Sequence, residues 1–247
     1  MEMEEFAAGD SWVHKLDPRV KILITLIFSI VVALNNHVSM VAISLILPVS
    51  LIICARLDFR PLLVRLGIVN GFILFLWLFL PFTTPGEIIY TLGPLTVQRE
   101  GIHQALLITV KSNSIVLMAI AMLGTSTIFT LVHALSHLYV PDKLVHLFFF
   151  CFRYIHVIRE EYFRLSNAMK IRGFRPRTNM HTYRSYSYLV GMLLVRSFDR
   201  SARILQAMKC RGFRSRFYIL HHYEMKSHDY AVALSSAAFS AFILVFI

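Results

Sequence analysis

Ala168-Met-Lys-Ile-Arg172-Gly173-Phe-Arg-Pro-Arg177 returns, 39 residues later, as Ala207-Met-Lys-Cys-Arg211-Gly212-Phe-Arg-Ser-Arg216, with changes only at Ile171/Cys210 and Pro176/Ser215. The chain makes the same thing twice. Upstream of the first copy, apolar Ile155, Ile158, Tyr162, Leu165 and Met169 recur at helical spacing, while Arg159, Glu160, Arg164 and Asn167 fall on other faces. Upstream of the second, Leu194, Phe198, Ala202, Leu205 and Met208 repeat the stripe beside polar Arg200, Arg203 and Lys209. Both stripes stop at Arg-Gly. Glycine directly after the last periodic residue signals a helix C-terminus, because it takes the left-handed conformation that other residues resist. Each repeat thus sets an arginine on a final helical turn, where the dipole favours a cation. Such an end is a docking knob, and its natural partner is a groove lined with carboxylates.

The plainer alternative is two basic helix ends lying on anionic lipid headgroups, an attraction of about 1 kcal/mol per residue near the surface. Lipid attraction needs charge, but not the same residue order twice. Two equivalent partner sites would need that order.

Apolar residues make up 57% of the chain and charged residues 16%, and mean hydropathy is +0.63. That is too apolar for an ordinary soluble domain and indicates a membrane protein. The net charge of +11 is not spread evenly. Residues 125–227 hold 17 Lys and Arg against 5 Asp and Glu, whereas the rest of the chain holds 8 against 9. One basic block between apolar segments reads as a cytoplasmic face, and no nucleic-acid partner is expected. Cys54, Cys151 and Cys210 have no metal-ligand spacing and read as small hydrophobes in a reducing setting. The acidic opening Met1–Glu5 has the wrong sign for a secretory signal.

Spans are expected at about 19–36, 38–55, 66–82 and 103–124, with a last one at Tyr230–Ile247. The first is short, and crosses if Arg19 and Lys21 snorkel to one interface and Asn35/Asn36 sit at the other. Pro48 is expected to kink the second. Thr83–Gly101 reads as a polar, turn-rich connection. Lys15, Arg19 and Lys21 near the N-terminus, Arg56, Arg60 and Arg65 in an expected basic loop after the second span, and the 125–227 block share one side only with the N-terminus inside, which makes the repeats cytoplasmic and the cell's inner membrane the expected location. The predicted fold is an all-α polytopic membrane protein of about five transmembrane helices, plus a helical coupling region with two long amphipathic helices. The boundaries are 1–124 for the N-terminal bundle, 125–227 for the coupling region and 228–247 for the last span. Leu144–Phe152 runs directly into the first amphipathic helix, so that region is expected along the membrane surface with Tyr183–Tyr188 and Phe217–Tyr223 at the interface.

Catalytic patterns are missing from the sequence: it contains no Gly-x-x-x-x-Gly-Lys-Ser/Thr, no Gly-x-Ser-x-Gly and no His-Glu-x-x-His. His133 and His137 share a helical face, but a lone i,i+4 pair without a third ligand is a weak metal signal, and His221-His222 is equally non-specific. No catalytic, cofactor or metal residue is assigned. Lys111 falls inside a span; a cation there is a functional-site candidate by default, with snorkelling or a partner subunit as the plainer explanation.

The twin Arg-Gly elements, with Leu16-Asp-Pro-Arg-Val-Lys21, Leu92-Gly-Pro-Leu-Thr-Val-x-Arg-Glu-Gly101 and Phe152-Arg-Tyr-Ile-His156 followed by Glu160/Glu161, resemble the transmembrane coupling (T) subunit of energy-coupling-factor transporters, of the cobalt/nickel CbiQ type. The resemblance implies a non-catalytic subunit of an ATP-driven importer. Its twin elements would close two cytoplasmic coupling helices, with Arg172 and Arg211 seated in grooves of two ATPase subunits of CbiO type. Gly173 and Gly212 would be helix stops, and Ala168, Met169, Ala207 and Met208 would line the contacts. It further implies a CbiM-like membrane substrate-binding subunit, room for a small accessory membrane subunit, and Mg-ATP on the partners alone. The family's Ala-Arg-Gly triplet is Ile171-Arg-Gly and Cys210-Arg-Gly here, a departure that touches packing rather than charge. A competing function is a self-sufficient secondary transporter or channel, with Lys111, Asn70 and Asn113 along its path. An intramembrane enzyme is disfavoured by the missing nucleophile and metal sets.

Overall fold

The structure, a computed structural model, describes residues 6–7, 9–92, 95–138, 140–213 and 227–245, excepting the side chains of 88–97. Met1–Glu5, the Gly93-Pro94 turn, the Arg214-Ser215-Arg216 end of the second copy, the Phe217–Tyr223 aromatic run and His221-His222 lie outside the described residues. The elements in order are α1 (Pro18–Leu34), α2 (Val38–Ser44), α3 (Ile46–Ala55), α4 (Phe59–Thr83), β1 (Ile88–Leu92), β2 (Leu95–Gln98), α5 (Arg99–Met122), α6 (Ile128–His137), α7 (Asp142–Ile171), α8 (Met180–Cys210) and α9 (Ser227–Val245). The fold is that of an all-α polytopic membrane protein, with one antiparallel hairpin, β1–β2, among the described residues.

Among the described residues, four stretches are long and apolar enough to cross a membrane: Val38–Ala55, Phe59–Thr83, Arg99–Met122 and Ser227–Val245. Helix α1 falls where the short first span was expected, but its 17 residues give about 25 Å of length against about 30 Å of hydrocarbon, and it is not among these four. Two details differ from expectation. The basic stretch Arg60–Arg65 is the start of α4 rather than a loop, because Pro61 falls in the first turn, where its missing N–H goes unused. The kink expected at Pro48 appears as a break at Leu45, where α2 gives way to α3; Pro48 cannot donate to the Ser44 carbonyl one turn back.

The chain divides into two compact units, Met1–Leu138 with Tyr223–Ile247, and Tyr139–His222. In the first, α5 is the hub, packing on α1, α2, α3 and α4, while α1 also packs on α6 and α9. Phe28 and Val32 of α1, Val41 of α2 and Met118, Ala121 and Met122 of α5 are buried in this core. Lipid is as apolar as these side chains, so close packing and polar ties have to set which helices pair.

Those ties are specific. Asn70 of α4 and Asn113 of α5 exchange reciprocal Nδ2–H···Oδ1 bonds of 3.0 Å each, and each Nδ2 also donates to the carbonyl one turn back in its own helix. The Trp77 indole N–H donates to Thr109 Oγ1 at 2.9 Å along the same seam. Buried Asn35 donates to the Ile243 carbonyl of α9 at 3.1 Å, and its Oδ1 accepts the His37 N–H. Lys111 donates to the Ala33 carbonyl at 2.9 Å and to Asn36 Oδ1 at 3.1 Å. It therefore caps the C-terminus of α1, where a carbonyl lacks a helical partner and the dipole favours a cation. The Asn pair yields a testable asymmetry. Asn70→Leu should destabilise the bundle by about 1 kcal/mol by stranding Asn113, and Asn70→Leu with Asn113→Leu should cost less than the single change, as read by thermal unfolding in detergent.

In the second unit, α7 and α8 contain 30 and 31 residues, rods of about 45 Å each. Asn179 caps α8 by accepting the Thr182 N–H at 2.9 Å, and Thr182 Oγ1 accepts the Arg177 N–H at 3.1 Å. Phe174 packs edge-on against Tyr186, at 5.7 Å between ring centroids, so the chain folds back onto the first turns of α8.

Candidate docking site

Both Arg-Gly ends have one backbone geometry. Arg172 and Arg211 are the C-caps of α7 and α8, and the glycines that follow have φ of 81° and 79°. The Gly173 N–H donates to the Lys170 carbonyl at 3.0 Å and the Phe174 N–H to the Met169 carbonyl at 3.1 Å. In the second copy, Gly212 reaches Lys209 at 3.0 Å and Phe213 reaches Met208 at 3.1 Å. These paired bonds, from the first and second residues beyond the cap, are the Schellman arrangement that satisfies two carbonyls left over at a helix end. From Ala168 to Phe174 and from Ala207 to Phe213, the sequence repeat is thus a structural repeat down to its backbone hydrogen bonds.

The geometry requires glycine at Gly173 and Gly212. A Cβ at either site would meet nothing within 4 Å, so conformation rather than space excludes other residues. Gly173→Ala or Gly212→Ala should cost about 1–2 kcal/mol of local stability. Hydrogen exchange should detect this as roughly tenfold faster exchange at the Phe174 or Phe213 amide, without change in α1–α5.

Arg172 and Arg211 are exposed, and neither guanidinium has a partner among the described residues. Ile171 beside the first is 86% exposed, which gives that knob an apolar flank as well as a charge. Cys210 beside the second is exposed too. Ala168, Met169 and Met208 are half-buried and Ala207 is exposed. Both methionines supply the carbonyls that close the helix ends, so they hold the knobs in shape. The apolar stripes read from the sequence stay largely uncovered within this chain, with Ile155, Ile158, Tyr162, Leu194, Phe198 and Leu205 all exposed.

The sequence did not assign a role to Glu161, which ties the two rods together. It is buried on α7 and bonds to Arg196 of α8, while Arg164 pairs with it from one turn away at 3.3 Å. Beside this tie runs a groove of about 300 Å³ lined by apolar Tyr154, Ile158, Ile204, Leu205, Met208 and Phe213 among others. In the sequence Glu161 sits between Arg159-Glu160 and Tyr162-Phe163-Arg164 with nothing to single it out, and its partner lies 35 residues on.

The residues considered for an ion path are used elsewhere. Lys111 caps α1, and Asn70 and Asn113 bind each other. His133 and His137 meet edge-on at 5.2 Å between ring centroids. Among the described residues no group of three or more His, Cys, Asp or Glu is placed to hold a metal ion.

Comparison with known proteins agrees with this arrangement. The chain is 25% identical over 252 residues to the energy-coupling factor transporter transmembrane protein EcfT of Leuconostoc gelidum subsp. gasicomitatum, covering 98% of this chain and 94% of that protein. It is 28% identical to the EcfT protein of Heliobacterium modesticaldum over 256 residues, covering 98% and 94%. To that of Bacillus subtilis it is 25% identical over 225 residues, covering 87% and 85%. The CbiQ family, described as cobalt transport protein, matches residues 9–219. With twin helix ends, a polytopic bundle and a family match over most of its length, the chain belongs to the CbiQ family of transporter membrane subunits.

Proposed function

We propose that this transmembrane component of an energy-coupling-factor transporter drives import of divalent cobalt or nickel, passing ATPase motion to a separate membrane substrate-binding subunit. Arg172 and Arg211 each enter a carboxylate-lined groove of one of two ATPase subunits, which alone hold Mg-ATP. In this reading the N-terminus and α7–α8 are cytoplasmic, and the bundle sits in the cell's inner membrane. When ATP closes the ATPase pair, the two knobs move with their grooves, and the long rods carry that displacement to the membrane.

The observation that carries the reading is the pair of Schellman ends with matching hydrogen bonds and glycine φ, each presenting an arginine with no partner among the described residues. The family's description as cobalt transport protein supports the choice of ion, and the names of the relatives support the energy-coupling-factor assembly. The uncovered stripes of α7 and α8 suit a membrane partner. A tagged chain purified from native membranes should bring down two ATPase copies and a substrate-binding membrane subunit, and the assembly in liposomes should take up radioactive Co²⁺ or Ni²⁺ only with ATP. A chain that purifies alone and conducts these ions alone would overturn the reading.

A further inference from the structure

We propose that the Leu16–Lys21 segment is the mechanical ground of the transporter: Asp17 and Lys21 clamp together the α5–α6 junction, upstream of the α7–α8 unit, and the start of α9, downstream of it. The inference rests on the coupling function proposed above. It concerns a different set of residues from the arginine knobs.

On its way out the chain passes Thr125-Ser126, between α5 and α6, and α6 is the last helix before the first unit ends at Leu138. The return point is the first turn of α9, where Asp229 lies. Lys21 is 0% exposed. Its Nζ donates to Ser126 Oγ at 2.7 Å and Thr125 Oγ1 at 3.1 Å, and lies 3.5 Å from the carbonyls of Thr125 and His14. Asp17 donates its backbone N–H to Asp229 Oδ1 at 3.0 Å, while its own Oδ1 caps α1 by accepting the Arg19 N–H at 2.9 Å. The Trp12 and His228 rings meet edge-on next to this contact, with 6.3 Å between centroids.

Two residues four apart thus fix three elements: the start of α1, the α5–α6 junction and the start of α9. A buried ammonium is a costly way merely to hold helices together, since well-packed apolar residues serve as well or better. What it adds is direction, because each donor bond has a defined partner and angle. On each side of the coupling rods, the chain of the first unit is thus fixed to the start of α1, at the α5–α6 junction and in the first turn of α9. Force entering by either one is therefore delivered to α1 instead of being absorbed by a sliding junction.

The test uses the complete complex with its ATPase and membrane partners, and compares hydrogen exchange with and without Mg-ATP plus vanadate. In the wild type, ATP should change exchange in α7 and α8 and also in α1 and α9. Lys21→Met, and more mildly Ser126→Ala, should keep the ATPase bound and keep the response in α7 and α8. The response in α1 and α9 should shrink about tenfold for Lys21→Met, as the clamp opens locally. Asn70→Leu weakens the same bundle away from the clamp and should leave transmission intact. Ser126→Ala keeps the test decisive if Lys21→Met fails to fold. An undiminished response in α1 and α9 with the clamp variants, or an equal loss with Asn70→Leu, would overturn this inference alone. A wild-type complex that retains no ATPase would overturn it together with the proposed function.

Discussion

Replacing Arg172 and Arg211 together by alanine should abolish co-purification of the ATPase while leaving membrane insertion untouched. Each guanidinium is exposed at a capped helix end and has no partner among the described residues, so its removal costs this chain little. In a docked complex the same group would be desolvated against carboxylates, where truncating one partner costs about 2–5 kcal/mol. Either single change should therefore weaken ATPase retention about 30-fold or more, and the pair should leave no retained ATPase. Lysine at either site should rescue only in part, since an ammonium cannot make the bidentate contact. Undiminished retention by the double variant would contradict the docking role of both residues.

Glu161→Leu should have the second largest effect, through the rods instead of their tips. Glu161 bonds to Arg196 across α7 and α8 and to Arg164 within α7. Its loss leaves both arginines without their carboxylate, and Arg164 is already 72% exposed. Arg196 is 47% exposed and can turn to water, so the expected cost is about 2 kcal/mol, below the full range for a broken buried pair. Lost alignment of the rods should also depress ATP-driven uptake more strongly than ATPase binding. Exchanging the charges, with Glu161→Arg and Arg196→Glu, should recover part of the stability. If Glu161→Leu melts like the wild type, the tie does not organise the pair. Because the bond joins two ionised groups, high salt should narrow the difference between Glu161→Leu and the wild type.

Features encoded within one helix were legible in the sequence; those joining two helices were not. The Arg-Gly ends could be read because a left-handed glycine after a periodic stripe is a local event, and the structure has it at Gly173 and Gly212. The four longer spans could be read from apolar length, whereas Lys21 of α1, expected to snorkel to an interface, is buried and donates to Thr125 and Ser126, a partnership no local pattern gives. Lys111 was visible as an anomaly, yet its task depends on α5 passing the end of α1, 78 residues away in sequence. The Asn70–Asn113, Lys21–Ser126, Asp17–Asp229 and Glu161–Arg196 ties have the same character. Each needs the register between two helices, which hydrophobic periodicity does not contain. The start of α4 was misplaced for a more local reason: charged Arg60 and Arg65 read as a loop, although charges at a membrane helix end can point to the interface.

The most direct test of the twin-knob claim is to place a photocrosslinking amino acid at Ile171, and separately at Cys210, in the assembled complex and irradiate it in native membranes. Both positions are exposed beside their arginines. Each should yield an adduct with an ATPase subunit, lost when the neighbouring arginine is changed to alanine. Adducts with lipid alone at both positions would contradict the account, and would make the repeats basic helix ends lying on the bilayer.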